Sequence, residues 1–276
     1  MAHELAWMKN KLRRIANESA ELPGLRALAK PLYRRMFSRP YRDGNAYFGV
    51  FDSRADALAA APSLPTTYDQ PGAGDMYLDR HNTIRVSDYP VVHWLSRLFA
   101  DGRHRIFDLG GHIGVSYYGF RRYLSYPQTL QWCVHDVPAV VDAGRAWAEQ
   151  YDPEGQLQFA DAPDAASGHD VLISSGALQY LDYTLPELLA RLESPPPHVL
   201  VNLTPLHPNQ GYITLQNIGK AVLPYRVMAK PELIESMAKL GYVVADQWQS
   251  RERFLKVPFE PACTIDHYSG FYFKRA

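Results

Sequence analysis

Three aspartates, Asp108, Asp136 and Asp161, each close a short apolar run, and the first is followed by Gly110, Gly111 and Gly114. The segment Arg103–Tyr118, RHRIFDLGGHIGVSYY, reads as a buried strand, a glycine-rich turn and the first turn of a helix over Val115–Leu124. Such a junction turns unpaired backbone N–H groups toward a crevice, and glycine removes the Cβ that would block close approach. Asp108 falls at the carboxyl end of the strand, where open α/β sheets place their ligands, and a carboxylate there accepts hydrogen bonds from a polar or cationic group. The chemistry indicated is the binding of a nucleotide-type cofactor, at its amino-acid end in particular. The loop reads D-L-G-G-H-I-G, with His112 where G-x-G-x-x-G has its middle glycine, so a dinucleotide pyrophosphate turn is not expected. A tight strand-to-helix turn in some other α/β protein is the competing reading.

Further along, a second strand over Leu130–Val134 ends in His135-Asp136, with Val137 next and Pro138 opening a helix to Gln150. An acid at that strand end can take both hydroxyls of a ribose, or it can cap the helix. A third strand, Gln156–Ala160, leads into Asp161-Ala162, and a fourth, Val171–Ser174, into Ser175-Gly176-Ala177-Leu178-Gln179-Tyr180. The fifth, His198–Leu203, runs into Thr204–Arg226, a polar and aromatic stretch expected to be a loop over the strand ends. His207 in that stretch is a candidate general base, since imidazole titrates near neutrality; a structural histidine is the alternative.

The elements that position these residues alternate between strand and helix from His104 onward. That alternation predicts a Rossmann-like α/β fold: a parallel sheet with helices on both faces, closed by an antiparallel pair from Val243–Gln249 and Tyr268–Lys274. Pro90–Phe99 reads as a helix ahead of the first strand. Residues 1–89 are expected to form a helical, loop-rich N-terminal cap and 90–276 the catalytic domain. Within the cap, Leu5, Met8, Leu12 and Ile15, then Leu25, Leu28, Leu32 and Met36, repeat at helical spacing. Lys9, Lys11, Arg13, Arg14, Arg26, Lys30, Arg34, Arg35, Arg39 and Arg42 face only Glu4, Glu18 and Glu21 there. These helices are expected to cover the catalytic domain, the alternative being an anionic membrane surface. Net charge is zero over 276 residues, which gives no support to nucleic acid as a partner. Cys133 and Cys263 lack metal-ligand spacing and read as reduced thiols. No run is long enough for stable membrane insertion, so a cytoplasmic protein is expected, and a homodimer is compatible with it.

The ordered series IFDLGGHIG, VHDVPAVV, FADA, ISSGALQYL, VLVNLTPL, ITLQNIG…PYRV and YSGFYFKR resembles class I S-adenosylmethionine-dependent methyltransferases. It looks most like a bacterial branch associated with surface polysaccharides, which in turn resembles enzymes that cyclise S-adenosylmethionine to azetidine-2-carboxylate. The resemblance implies a seven-stranded sheet and cofactor contacts from Asp108, Gly110, Gly111, His112 and Gly114. It places Asp136 and Val137 at the ribose, and Asp161 and Ala162 at the adenine. A backbone carbonyl of the Ser175-Gly176 stretch would receive the ammonium. Arg85 and His81 become candidates for the cofactor's carboxylate, against surface charge as the plainer reading. Gln179 and Tyr180 would face a small-molecule or glycan acceptor. S-adenosylmethionine is then a methyl donor, or in the cyclase alternative the substrate itself, enclosed by Tyr117, Tyr118, Tyr180, Tyr183, Tyr212 and Tyr225. A non-catalytic cofactor-binding module is the third reading.

Overall fold

The computed structural model describes residues 26–40, 45–70, 72, 74 and 83–275. The helix expected around Leu5–Ile15, and His81, lie outside the described residues. In chain order the first elements are α1 (Arg26–Phe37), β1 (Ala46–Phe51), α2 (Arg54–Ala60), α3 (Tyr89–Ala100), β2 (Arg105–Leu109) and α4 (Val115–Phe120). Then come β3 (Gln131–His135), α5 (Pro138–Tyr151), β4 (Leu157–Ala160), β5 (Val171–Ser175), α6 (Leu185–Arg191) and β6 (His198–Thr204). The chain ends with β7 (Leu206–His207), β8 (Tyr212–Asn217), β9 (Val222–Ala229), α7 (Lys230–Lys239), β10 (Tyr242–Ser250) and β11 (Tyr268–Arg275).

The chain forms two compact units. One comprises Met1–Thr67, Tyr212–Tyr225 and Lys256–Thr264, the other Tyr68–Gly211, Arg226–Leu255 and Ile265–Ala276. The smaller unit thus draws in two segments far along the sequence.

The larger unit holds a seven-stranded sheet in the order β10-β11-β6-β5-β2-β3-β4. From β6 to β4 every neighbouring pair is parallel, while β11 is antiparallel to both β6 and β10. This is the Rossmann-like arrangement expected, with the antiparallel closing pair. Near-continuous apolar strands are what two covered faces demand. Ile106, Trp132, Val171 and Leu200 pack on one side with Val91, Leu95 and Tyr117. Phe107, Leu172, Val199 and Phe271 pack on the other with Leu188, Leu233 and Met237. Tyr117, expected to line the ligand site, is core: its ring is fully buried and its hydroxyl donates to Asp152 Oδ1 at 2.6 Å.

In the smaller unit β1 pairs antiparallel with β8. The stretch 204–226, expected to be a loop, is largely strand. In its part from 212 to 225, Gln216 Nε2 donates to the Tyr47 hydroxyl at 3.0 Å, and Asn217 Nδ2 to the Phe37 and Arg39 carbonyls at 2.6 and 2.8 Å. Tyr212 and Tyr225 are buried here too, Tyr212 donating to the Cys263 carbonyl and Tyr225 meeting Tyr47 edge-on. Helix α1 turns Tyr33 and Phe37 inward, so Leu28, Leu32 and Met36, expected to be its packing stripe, are exposed instead.

Candidate functional site

Because β6, β5, β2, β3 and β4 run parallel, their carboxyl ends share one edge of the sheet. The topology therefore gathers Asp108–Gly114, Asp136, Asp161 and Ser175–Tyr180, which are dispersed in sequence. Asp108 is fully buried at the end of β2. Its Oδ2 accepts from Trp132 Nε1 at 3.2 Å, and its Oδ1 has no hydrogen-bond partner. Burial raises this carboxyl from 3.8 to about 7, Trp132 opposing the shift and the nearby Asp136 charge adding to it.

The loop above Asp108 needs its glycines. A Cβ on Gly111 would fall 2.5 Å from the Asp108 carboxyl carbon, so the backbone rests directly against that group. Gly110 has φ +74°, and a Cβ there would lie 2.1 Å from the Ala177 Cβ, which brings the loops after β2 and β5 into contact. His112 adopts the left-handed conformation, φ 57°, and its N–H donates to Asp136 Oδ2 at 2.9 Å. Val137 N–H donates to Asp136 Oδ1 at 2.8 Å. Asp136 thus ties the loops after β2 and β3, and it does not cap the following helix, whose N-cap is Val137 with no side-chain bond. Burial raises its pKa, against the two backbone donors.

Gly114 starts α4 at φ 91°. The helix spans Val115–Phe120 and stops short of the expected Leu124. Tyr126 takes the Tyr117 carbonyl with its hydroxyl at 2.6 Å, the acceptor a continuing helix would use. A helix this short carries little macrodipole, and several of the loop's amides are already used within the fold: Gly110 N–H donates to the His135 carbonyl at 2.7 Å and Gly114 N–H to the Gly111 carbonyl at 3.1 Å.

After β5, Gly176 N–H donates to the Asn202 carbonyl at 2.9 Å, and the Gly176 carbonyl accepts from Gln179 Nε2 at 2.7 Å. Gln179 Oε1 is buried without a partner. Tyr180 is half-buried and closes the short turn by its N–H to the Ala177 carbonyl at 3.0 Å. Asp161, after β4, is at the surface with 81% of its side chain exposed, paired with Arg145 at 2.7 Å, and Ala162 leads into a short turn.

His207 is buried in β7, where its Nδ1 accepts from the N–H groups of Asn209 and Gln210 at 3.2 and 3.1 Å. With Nδ1 accepting, the neutral ring carries its proton on Nε2, an arrangement that anchors the loop and works against proton abstraction. Arg85 is half-buried, and its backbone N–H donates to Asp88 Oδ2 at 2.8 Å.

Asp88 belongs to a network that the sequence does not disclose. Asn202 Nδ2, fully buried on β6, donates to Asp88 Oδ1 at 3.1 Å and to Ser175 Oγ at 3.2 Å. Trp248 Nε1 holds Asn202 Oδ1 at 3.0 Å, reaching across β11 because Gly270 leaves its indole room; a Cβ there would sit 2.1 Å from the ring. Burial, then the Glu252 charge, raises the Asp88 carboxyl from 3.8 to about 7, against the Asn202 bond. The only advance signal was an acid two residues before a helix-starting proline. A cavity of about 450 Å³ by the ends of β10 and β11, lined by Lys230, Trp248, Arg251 and His267, contains none of the expected site residues.

No family model and no curated protein matches the chain. Among solved structures, the chain is similar to magnesium protoporphyrin IX methyltransferase from Synechocystis PCC 6803 with bound S-adenosylhomocysteine, at 14% identity and TM-score 0.45, over 68% of this chain and 81% of that one. It is also similar to 1,6-didemethyltoxoflavin-N1-methyltransferase from Burkholderia thailandensis, at 18% identity and TM-score 0.45, over 73% and 81%. A methyltransferase from Streptomyces caelestis shares 12% identity at TM-score 0.45, over 76% of this chain and 100% of that one. At such values these likenesses fix neither a family nor a reaction.

Proposed function

We propose that the protein binds S-adenosylmethionine at the carboxyl edge of its seven-stranded sheet and transfers the methyl group to a small molecule or glycan. The observation that carries this reading is Asp108: a fully buried carboxylate with an unpartnered oxygen, pressed against a glycine loop and held near neutrality. An uncompensated buried acid is costly, and a cationic, hydrogen-bond-donating ligand removes the cost. S-adenosylmethionine, which carries an ammonium and a sulfonium, has that chemistry, and when bound it supplies an electrophilic methyl group.

The chain's own residues divide the work. Gly110, Gly111, His112 and Gly114 give the cofactor backbone access over Asp108. Asp136 accepts the ribose hydroxyls on its remaining lone pairs, with Val137 keeping its carboxylate oriented, and Asp161-Ala162 meet the adenine edge. Ser175, the Gly176 carbonyl and the unsatisfied Gln179 oxygen take the ammonium, and Arg85 the carboxylate. Tyr180 faces the acceptor. Asp88, titrating near neutrality and fixed by Asn202, is better placed than His207 to hold the acceptor's proton.

Product analysis tests the reaction. With S-adenosylmethionine and a panel of hydroxyl and amine acceptors, S-adenosylhomocysteine should form only when the right acceptor is present. Methylthioadenosine released from the cofactor alone would replace methyl transfer with cyclisation. That alternative has lost part of its aromatic enclosure, since Tyr117, Tyr212 and Tyr225 are core residues.

A further inference from the structure

Helix α1 has two apolar faces, and among the described residues only one is packed. Phe37 is 2% exposed, with its ring 5.4 Å from Phe48, and the Tyr33 ring lies 5.7 Å from Phe259. On the same side Arg26 and Lys30 are anchored to Glu260, Lys30 at 2.9 Å. Leu28, Leu32 and Met36 follow one another at four-residue spacing on the opposite side, 71%, 66% and 55% exposed. Exposed Arg35 and Arg39 flank that stripe, whereas Arg34 lies on the packed side with its guanidinium 6.0 Å from the centre of the Phe48 ring. A single exposed leucine is unremarkable, but three long apolar side chains aligned along one helix form a patch that water disfavours.

We infer that this face docks on an anionic membrane surface, with Leu28, Leu32 and Met36 entering the headgroup boundary and the arginines meeting lipid phosphates. Charge selects the occupant. The whole chain is neutral, yet residues 1–42 hold ten lysines and arginines against three glutamates. A second copy docking through the same face would bring those like charges together, whereas acidic lipids complement them. Attachment is peripheral, since among the described residues no helix is long and apolar enough to cross a membrane. The inference does not depend on the reaction proposed above.

The full-length protein is sedimented with vesicles of phosphatidylcholine alone and of phosphatidylcholine with phosphatidylglycerol. Binding is expected only to the acidic vesicles, weakened by salt, and reduced about tenfold or more in the Leu28→Ser/Leu32→Ser/Met36→Ser variant with its melting temperature unchanged. A second variant, Arg35→Glu/Arg39→Glu, should also release the protein. Failure of the wild type to bind acidic vesicles at low salt overturns the inference, as does equal binding by the serine variant. A fall in the serine variant's melting temperature would mean that the chain itself covers the stripe. A dimer that the variant abolishes would mean that a second copy does; either result overturns the inference.

Discussion

Asp108 holds a protonation state that works against the folded chain. Its carboxyl is raised from 3.8 to about 7, so over that interval the folded protein keeps a proton that the unfolded chain has released. Stability is therefore greatest below the unfolded value, falls as pH rises toward 7, and levels off above it. Asp88 contributes in the same direction over the same interval. Asp108→Asn keeps an acceptor for Trp132 and removes the charge. Scanning calorimetry of the ligand-free variant at pH 8 should show stabilisation on the order of 1–4 kcal/mol and a shallower pH dependence. Destabilisation would make the carboxylate a structural asset and weaken the ligand argument. His112 bears on the same loop. Its left-handed backbone costs about 1 kcal/mol, which glycine would relieve while adding unfolded-state entropy. His112→Gly should thus bind S-adenosylhomocysteine with unchanged affinity in a fluorescence titration; a large loss would give the imidazole itself a contact. Tyr180→Phe should lower kcat and leave KM for S-adenosylmethionine unchanged, and unaltered kcat would clear the hydroxyl.

At the scale of elements, the closing strands form a positioning device. Gly270 lets the Trp248 indole cross β11 and hold Asn202, which holds Asp88. Gly270→Ala forces a rigid ring aside and should cost about 1–3 kcal/mol, read as a lowered melting temperature with altered tryptophan emission. An unchanged melting curve would contradict that packing. The parallel strands were legible because β2, β3 and β5 are apolar runs ending in acids or small residues at the predicted places. The strand Tyr212–Asn217 was not, although Ile213-Thr214-Leu215-Gln216 alternates: the run is short, lies between the turn-forming Pro208-Asn209-Gln210-Gly211 and Gly219-Lys220, and buries its polar Thr214, Gln216 and Asn217 as fully as Leu215. Periodicity also showed that α1 is amphipathic without showing which side has a partner: the stripe is exposed, and Tyr33 and Phe37 do the packing. The Asp88–Asn202 contact spans 114 residues of sequence, a distance that local pattern cannot see.

At the scale of the whole molecule, the proposed ligand site lies at one edge of one sheet, while a unit assembled from three separated segments carries the exposed basic helix. The aspartates expected from sequence do converge on that edge, although Asp161 reaches solvent and is held by Arg145. Ligand occupancy should stabilise the larger unit by mass action, so saturating S-adenosylhomocysteine at a hundred times its Kd should add about 2.7 kcal/mol. Titration calorimetry of S-adenosylhomocysteine into the wild type, Asp136→Ala and Asp108→Asn is the most direct measurement. The prediction is one-to-one binding by the wild type, weakened by about 1–3 kcal/mol, roughly five- to 150-fold, in each variant. Absence of binding by the wild type, or three equal affinities, would contradict it.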